Sequence, residues 1–321
     1  ARLVSPLSKH RTFHDVLPSM FNSSHDSYYQ ILDAVEFLGE EYQKIVEIFT
    51  VATSENYGID TKHTYFDCTN FYRENSFQKK GPSKENRKDP IVGLGLLLDA
   101  NMIPIGMEMY PGNESEQPVF RNVIKSLKDR NNIKGRTIRI ADKGLNSARN
   151  IITAINNRDG YIFSKSVKKL AKVEKTWVLL DNDYTEVKDE KNNILFKYKS
   201  CIEEYTYSYT DENGREYVKK VREKRVATFN PKLYKKKIFE INRMIEKARK
   251  LKASQAKKEE YGESSKYIIF QGKDGSKAEV QLNEKAIEQD KAAAGYNLLV
   301  TSEYKMDDCE IYYAYHNLWR I

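Results

Sequence analysis

The chain has 321 residues, with 54 Lys or Arg against 46 Asp or Glu, a net charge of +8. At 40% hydrophobic and 31% charged residues it can build a core and keep a solvated surface. Three scattered cysteines, Cys68, Cys201 and Cys309, exclude a disulfide scaffold and a zinc ribbon, and the longest apolar run, Ile91 to Leu98, is too short for a membrane span.

The cysteines read as reduced thiols of a cytoplasmic protein, and no signal peptide opens the chain. It begins in mid-pattern at Ala1, so further residues are expected ahead of it. Residues 1–60 read as helical. Ile31, Ala34, Val35, Leu38, Tyr42, Ile45 and Val46 recur at three- and four-residue steps, an amphipathic stripe. TYFDCTNFY, from Thr64, is a strand. Residues 89–113 read as two strands joined by a turn at Asp99–Met102. A helix follows, with Ser115 as N-cap and Pro118 in its first turn. TIRIADKG is a strand, NSARNIITAINNR a helix and GYIFSKS a strand. An antiparallel start followed by alternating elements predicts a mixed sheet covered by helices over 61–167.

From 168 to 288 the chain is strand-rich, polar and interrupted, and reads as an inserted subdomain. Hairpin signals stand at Asn213–Gly214 and Asp274–Gly275. Between them lies a long helix with Asn230 as N-cap and Pro231 as first residue; Tyr234, Ile238, Ile241, Ile245 and Ala248 mark its apolar face. Residues 219–258 hold 16 Lys or Arg and 3 Glu, so the rest of the chain is net negative. Such a segment points to a polyanion partner or to a solvated helix face. Residues 289–321 return to a strand, AGYNLLVTSE, and a helix capped by Asp307 or Asp308.

Two aspartates stand out. Asp67 interrupts a strand, where Asp is disfavoured and costly to bury unpaired. Asp142 continues the alternating row of Ile138 and Ile140 to a strand's C-terminal end, where Gly144 turns the chain. If these strands are neighbours, the carboxylates converge. At about 4 Å they repel by about 4 kcal/mol at an effective dielectric near 20. A divalent cation between them reverses that sign, and Mg²⁺ commonly takes one or two carboxylates with water and phosphate oxygens. Each Asp could instead cap a turn or pair with Lys62, Arg73 or Lys143. His10, His14, His25, His63 and His316 lack the spacing of a zinc motif.

YFDCTNFY, GLLLDANMIPIGMEMYPGNESE, IRIADKGLNSARNI, GYNLLVTSE and IYYAYHNLWRI, in that order, resemble bacterial insertion-sequence transposases of the DDE type, from about His63 to the end. The resemblance implies an RNase H-like mixed sheet flanked by helices, with a β-rich basic insertion containing one long helix. It makes 61–167 the first part of a catalytic core and 289–321 the return to it. It places the first two catalytic acids at Asp67 and Asp142, holding Mg²⁺ or Mn²⁺. The family's signature runs Tyr, two residues, Arg, three residues, Glu, six residues, Lys. Tyr315 matches its tyrosine; Leu318 stands at the arginine position, and Arg320 is expected to take over a DNA contact. The glutamate falls one position beyond Ile321, so the third acid is expected to be missing; Glu310 is three turns too early to replace it.

The implied function is cutting and joining double-stranded DNA at transposon ends by two-metal hydrolysis and strand transfer, as a homodimer in a cytoplasmic, nucleoid-associated complex. Lys143, beside Asp142, is a candidate phosphate contact, as is the loop of residues 77–89. Lys235, Lys236, Arg243, Lys247 and Lys250 on the long helix are candidate DNA-backbone contacts. Tyr315 is a further candidate DNA contact, although Tyr315 and Trp319, four apart on a helix, suit core packing better than base stacking. The competing expectations are a truncated, inactive DNA-binding remnant and another RNase H-like nuclease, the basic insertion arguing against the latter.

Overall fold

The computed structural model of the protein describes residues 5, 7–20, 27–72, 91–112, 114–130, 133–254, 258–271 and 279–320. The expected loop 77–89 and the Asp274–Gly275 turn lie outside them. The chain divides into two compact units, Ala1–Gly58 and Ile59–Ile321. Among the described residues no helix is long and apolar enough to cross a membrane.

The first unit is helical. α1 (Lys9–Arg11) and α2 (Leu17–Met20) flank a π-helical turn at Thr12–Val16. α3 (Tyr28–Glu40) starts with a capping box: Ser27 Oγ accepts from Gln30 N, and Gln30 Oε1 accepts from Ser27 N. The apolar stripe expected to run continuously is broken at Glu41, which leaves helical geometry (φ −94°, ψ 13°), and α4 (Tyr42–Tyr57) begins anew. Periodicity survives such a break because both helices keep a hydrophobic face. Gly58, at φ 72°, ends α4 in a conformation that side chains resist.

The second unit is built on a nine-stranded sheet of order β3-β2-β1-β4-β5-β11-β8-β7-β6. β1 (His63–Tyr72), β2 (Ile91–Leu98) and β3 (Pro104–Pro111) form an antiparallel meander. The β2–β3 turn is held by Asp99, whose Oδ1 accepts from Asn101 N and Ile103 N. α5 (Glu116–Asp129) leads to β4 (Ile138–Ala141), and α6 (Ala148–Asn156) to β5 (Gly160–Lys165). β4 and β5 run parallel to β1. The result is a mixed sheet flanked by helices, with strand and helix order as the sequence predicts.

The stretch 168–288 continues that sheet. After α7 (Lys172–Leu179), β6 (Thr185–Lys188), β7 (Ile194–Thr210) and β8 (Glu216–Phe229) join it through β11 (Tyr296–Thr301), which pairs antiparallel with both β5 and β8. The β7–β8 hairpin turns at Asn213–Gly214, with Gly214 at φ 78°. α8 (Pro231–Ser254) follows; Asn230 Oδ1 caps it by accepting from Leu233 N. A 3₁₀ stretch (Lys258–Tyr267), the separate pair β9 (Ile268–Gln271) and β10 (Glu279–Leu282), and α9 (Glu284–Ala292) complete the insertion. Ile241, Ile245 and Ala248 of the predicted apolar face are buried; Ile241 and Ile245 pack with Tyr267 and Ile287.

Each face of the main sheet has its own core. Phe66, Phe163, Tyr161 and Leu298 pack against Phe120 and Ile124 of α5 and Ile151 of α6. On the opposite face, Tyr65, Ile138, Ile140 and Ile162 pack against Ile311, Ala314 and Tyr315 of α10 (Asp308–His316), which Asp307 caps. Each buried Ile, Leu or Phe among them contributes about 1.5–3 kcal/mol. Gly95 in β2 sits under a ring: a Cβ there would stand 2.6 Å from Phe66 Cζ.

Candidate active site

β1 and β4 bring the two aspartates level. Their parallel register pairs Phe66 with Ala141, so the next residues, Asp67 and Asp142, are neighbours across strands about 4.8 Å apart. Alternation puts Asp67 on the face of Tyr65, and Asp142 on that of Ile138 and Ile140, the face covered by α10. Asp67 is half-buried and Asp142 exposed, and both line one cleft of about 520 Å³.

Their hydrogen bonds differ. Asp67 Oδ1 accepts from Cys68 N (2.8 Å). Asp142 ends its strand by accepting from Lys143 N (2.6 Å) and capping the 3₁₀ turn Lys143–Leu145. The same oxygen, Oδ1, accepts from Ser164 Oγ (3.0 Å) and Tyr315 Oη (3.2 Å). Among the described residues nothing donates to Oδ2, which leaves that oxygen open to a cation. Burial pushes the Tyr315 hydroxyl up, and the Asp142 charge adds to the effect, so Tyr315 stays protonated and donating at neutral pH.

Two carboxylates, one within β1 and one just past the end of the neighbouring β4, form an oxygen-only donor set of the kind that suits Mg²⁺ or Mn²⁺. Among the described residues no three His, Cys, Asp or Glu side chains are grouped to hold a metal. Glu310 is exposed and is not part of the cleft wall. Lys143 and Tyr315 line the cleft, as does Leu318. The side chains of Trp319 and Arg320 lie outside the described residues.

The expected helix contacts sit elsewhere. Lys235, Lys236, Arg243, Lys247 and Lys250 are exposed on α8 but line no part of the cleft. Lys236, Arg243, Lys247 and Lys250 form one stripe at steps of seven, four and three. The α8 face in the cleft is that of Leu233, Lys237, Glu240, Ile241 and Met244, and Lys237 Nζ pairs with Glu240 at 2.8 Å.

Several cleft residues lie outside the sequence-based expectations. Ser164, Lys165 and Lys168 stand at or just beyond the end of β5, Lys266 comes from the insertion, and Asp290 lies on α9 just past it. The strand-end rule that singled out Asp142 applies equally to SKSVKK at residues 164–169. Lys266 and Asp290 had no such signal, because only the fold brings 266 and 290 beside 168. Lys165 Nζ reaches Glu174 (3.3 Å). Burial and then the Arg225 charge lower the Lys165 ammonium below the usual lysine range. Five lysines and four carboxylates among the described residues line the cleft, nearly balancing its charge.

No protein-family model matches the sequence, and no curated protein matches it. Solved structures give remote matches. A piggyBac transposase in a synaptic complex with hairpin DNA aligns at 14% identity and TM-score 0.30, over 55% of this chain and 36% of that one. A Mos1 transposase paired-end complex with the left transposon end aligns at 11% identity and TM-score 0.24, over 50% of this chain and 55% of that one. A pre-cleavage Mos1 transpososome aligns at 10% identity and TM-score 0.22, over 50% and 56%. The chain thus spans from about a third to just over half the length of these transposase chains.

Proposed function

We propose that the protein is a DDE-type transposase that cuts and joins double-stranded DNA at the ends of an insertion sequence. The observation that carries this reading is the level placement of Asp67 and Asp142 on neighbouring parallel strands, lining one cleft. Asp67 and Asp142 would hold Mg²⁺ or Mn²⁺, which when bound supplies an activated water and charge stabilisation at the attacking and leaving oxygens of a phosphodiester. The chain's own residues orient that donor set. Tyr315 and Ser164 fix Asp142 Oδ1, and the Lys143 amide pins the same oxygen. Lys143, at the cleft wall, would contact a phosphate beside the scissile bond. The exposed α8 stripe of Lys236, Arg243, Lys247 and Lys250 would track the backbone of a DNA end, and pairing two ends would require a homodimer.

A second reading is a protein that binds DNA ends without cutting them. Incubation of duplex DNA with Mg²⁺ separates the two. Cleavage by the wild type that is lost in Asp67→Asn and in Asp142→Asn, with DNA binding kept, supports the transposase. Equal cleavage by both variants refutes the assignment, and binding without cleavage in the wild type supports the second reading.

A further inference from the structure

In the cleft that Asp67 and Asp142 also line, three segments apart in sequence meet on one carboxylate. Asp290 of α9 receives Lys168 Nζ on Oδ1 (2.5 Å), and Lys266 Nζ (3.2 Å) and Tyr267 Oη (2.7 Å) on Oδ2. Lys168 lies in the turn directly after β5, and Lys266 and Tyr267 end the 3₁₀ stretch of the insertion. Lys168, Lys266 and Asp290 all line the cleft.

The members of this cluster differ in freedom. Tyr267 is fully buried and packs in the α8–α9 core, so its hydroxyl is a fixed donor that anchors Asp290. The two lysine side chains remain 47% and 46% exposed. Burial pushes the Asp290 carboxyl up, but the Lys168, Tyr267 and Lys266 contacts outweigh it, so it stays ionised at neutral pH. Ion pairs with ammonium groups this open to water are worth little net. Asp290 itself is mostly buried, with 11% of its side chain exposed, but the Tyr267 hydroxyl stays on it when a lysine leaves, so a lysine that turns away must gain another anion in exchange. Both lysines are long, flexible stems carrying a compact charge, suited to a point contact on a phosphate.

We propose that Lys168 and Lys266 form a phosphate subsite of this cleft, and that Asp290 parks them in the free protein until a backbone phosphate of a nucleic acid takes them over. This rests on the reading of the cleft as a nucleic-acid site, and it adds which residues seat the strand on the insertion side. Parking explains the near-balance of charge in the cleft. In the free protein Asp290 occupies both ammonium groups. Parking also gives Asp290 a sign opposite to that of a structural tether. Removing a tether loosens the insertion and weakens binding, whereas removing a competing anion strengthens it.

The test uses a fluorescein-labelled 20-base-pair duplex and the full chain carrying Asp67→Asn, without divalent cation, so that cleavage plays no part. Asp290→Asn in that background is expected to tighten binding by roughly threefold to tenfold at low salt, the effect of one negative charge near the strand at intermediate dielectric. Lys168→Gln with Lys266→Gln is expected to weaken it by a comparable or larger factor and to lower the salt slope by up to about 2, near 0.9 for each phosphate no longer neutralised. Asp290→Glu, which keeps the charge, is expected to stay near the parent. Weakened or unchanged binding in Asp290→Asn, or an unchanged slope in the double lysine variant, would overturn the proposal, as would no measurable binding in any variant. Loss of the transposase reading is seen separately, as absence of Mg²⁺-dependent cleavage by the wild type whatever the Asp290 variants do.

Discussion

His316 makes the packing of α10, the helix that holds Asp142, sensitive to acid. Its ring stacks on Tyr312 with centroids 4.0 Å apart, and Tyr312 stacks on Phe196 at 3.6 Å. Burial pushes the imidazole down to about 4 from 6.5, and the Tyr312 backbone hydrogen bond opposes only part of this. The folded pKa lies below the unfolded one, so below pH 6.5 the unfolded chain takes up this proton more readily than the folded chain. The stabilisation is complete above pH 6.5 and is lost as pH falls towards 4. At 1.36 kcal/mol per unit the full window is about 3 kcal/mol, reduced to about 1–2 kcal/mol because the ring is partly exposed. Urea denaturation at about pH 7.5, 6 and 5 should therefore show the wild type losing more stability on acidification than His316→Gln. Carboxylates titrate in both proteins and cancel in the difference. A gap between the two that stays constant across the three pH values would refute the reasoning.

Tyr315→Phe keeps the ring in the α10 core but removes a donor to Asp142, and is expected to weaken Mn²⁺ binding about tenfold while costing at most about 1 kcal/mol of stability; calorimetric titration and melting measure both. Changing Lys236, Arg243, Lys247 and Lys250 together to Gln should lower the slope of log affinity for duplex DNA against log salt by up to about 3.6; an unchanged slope would mark the stripe as merely solvated. Ile140→Ala, beneath α10, should destabilise the second unit by about 2–5 kcal/mol in denaturant titration.

Much of the architecture was legible because it is written in local patterns. Ile138, Ile140 and Asp142 alternate, Ser115 and Asn230 cap, and Asp99 turns the β2–β3 hairpin, each a short-range effect that the fold preserves. The break at Glu41 was hidden because a hydrophobic stripe spans two helices as readily as one. The joining of β6, β7 and β8 to the central sheet was hidden as well, since it depends on β11 pairing with β8 on one side and with the much earlier β5 on the other. The same holds for the cleft. Asp67 and Asp142 announced themselves by sitting where strands disfavour charge. Lys237 was passed over for its neighbours on α8 because composition does not say which helix face meets the cleft.

The central claim is that Asp67 and Asp142 share a cation, and a double-mutant cycle on Mn²⁺ affinity tests it most directly. If the two carboxylates grip one ion, Asp67→Asn and Asp142→Asn each lose most of the affinity, and the double variant loses little more than either single one. Losses that simply add, or an affinity that neither substitution changes, would contradict it.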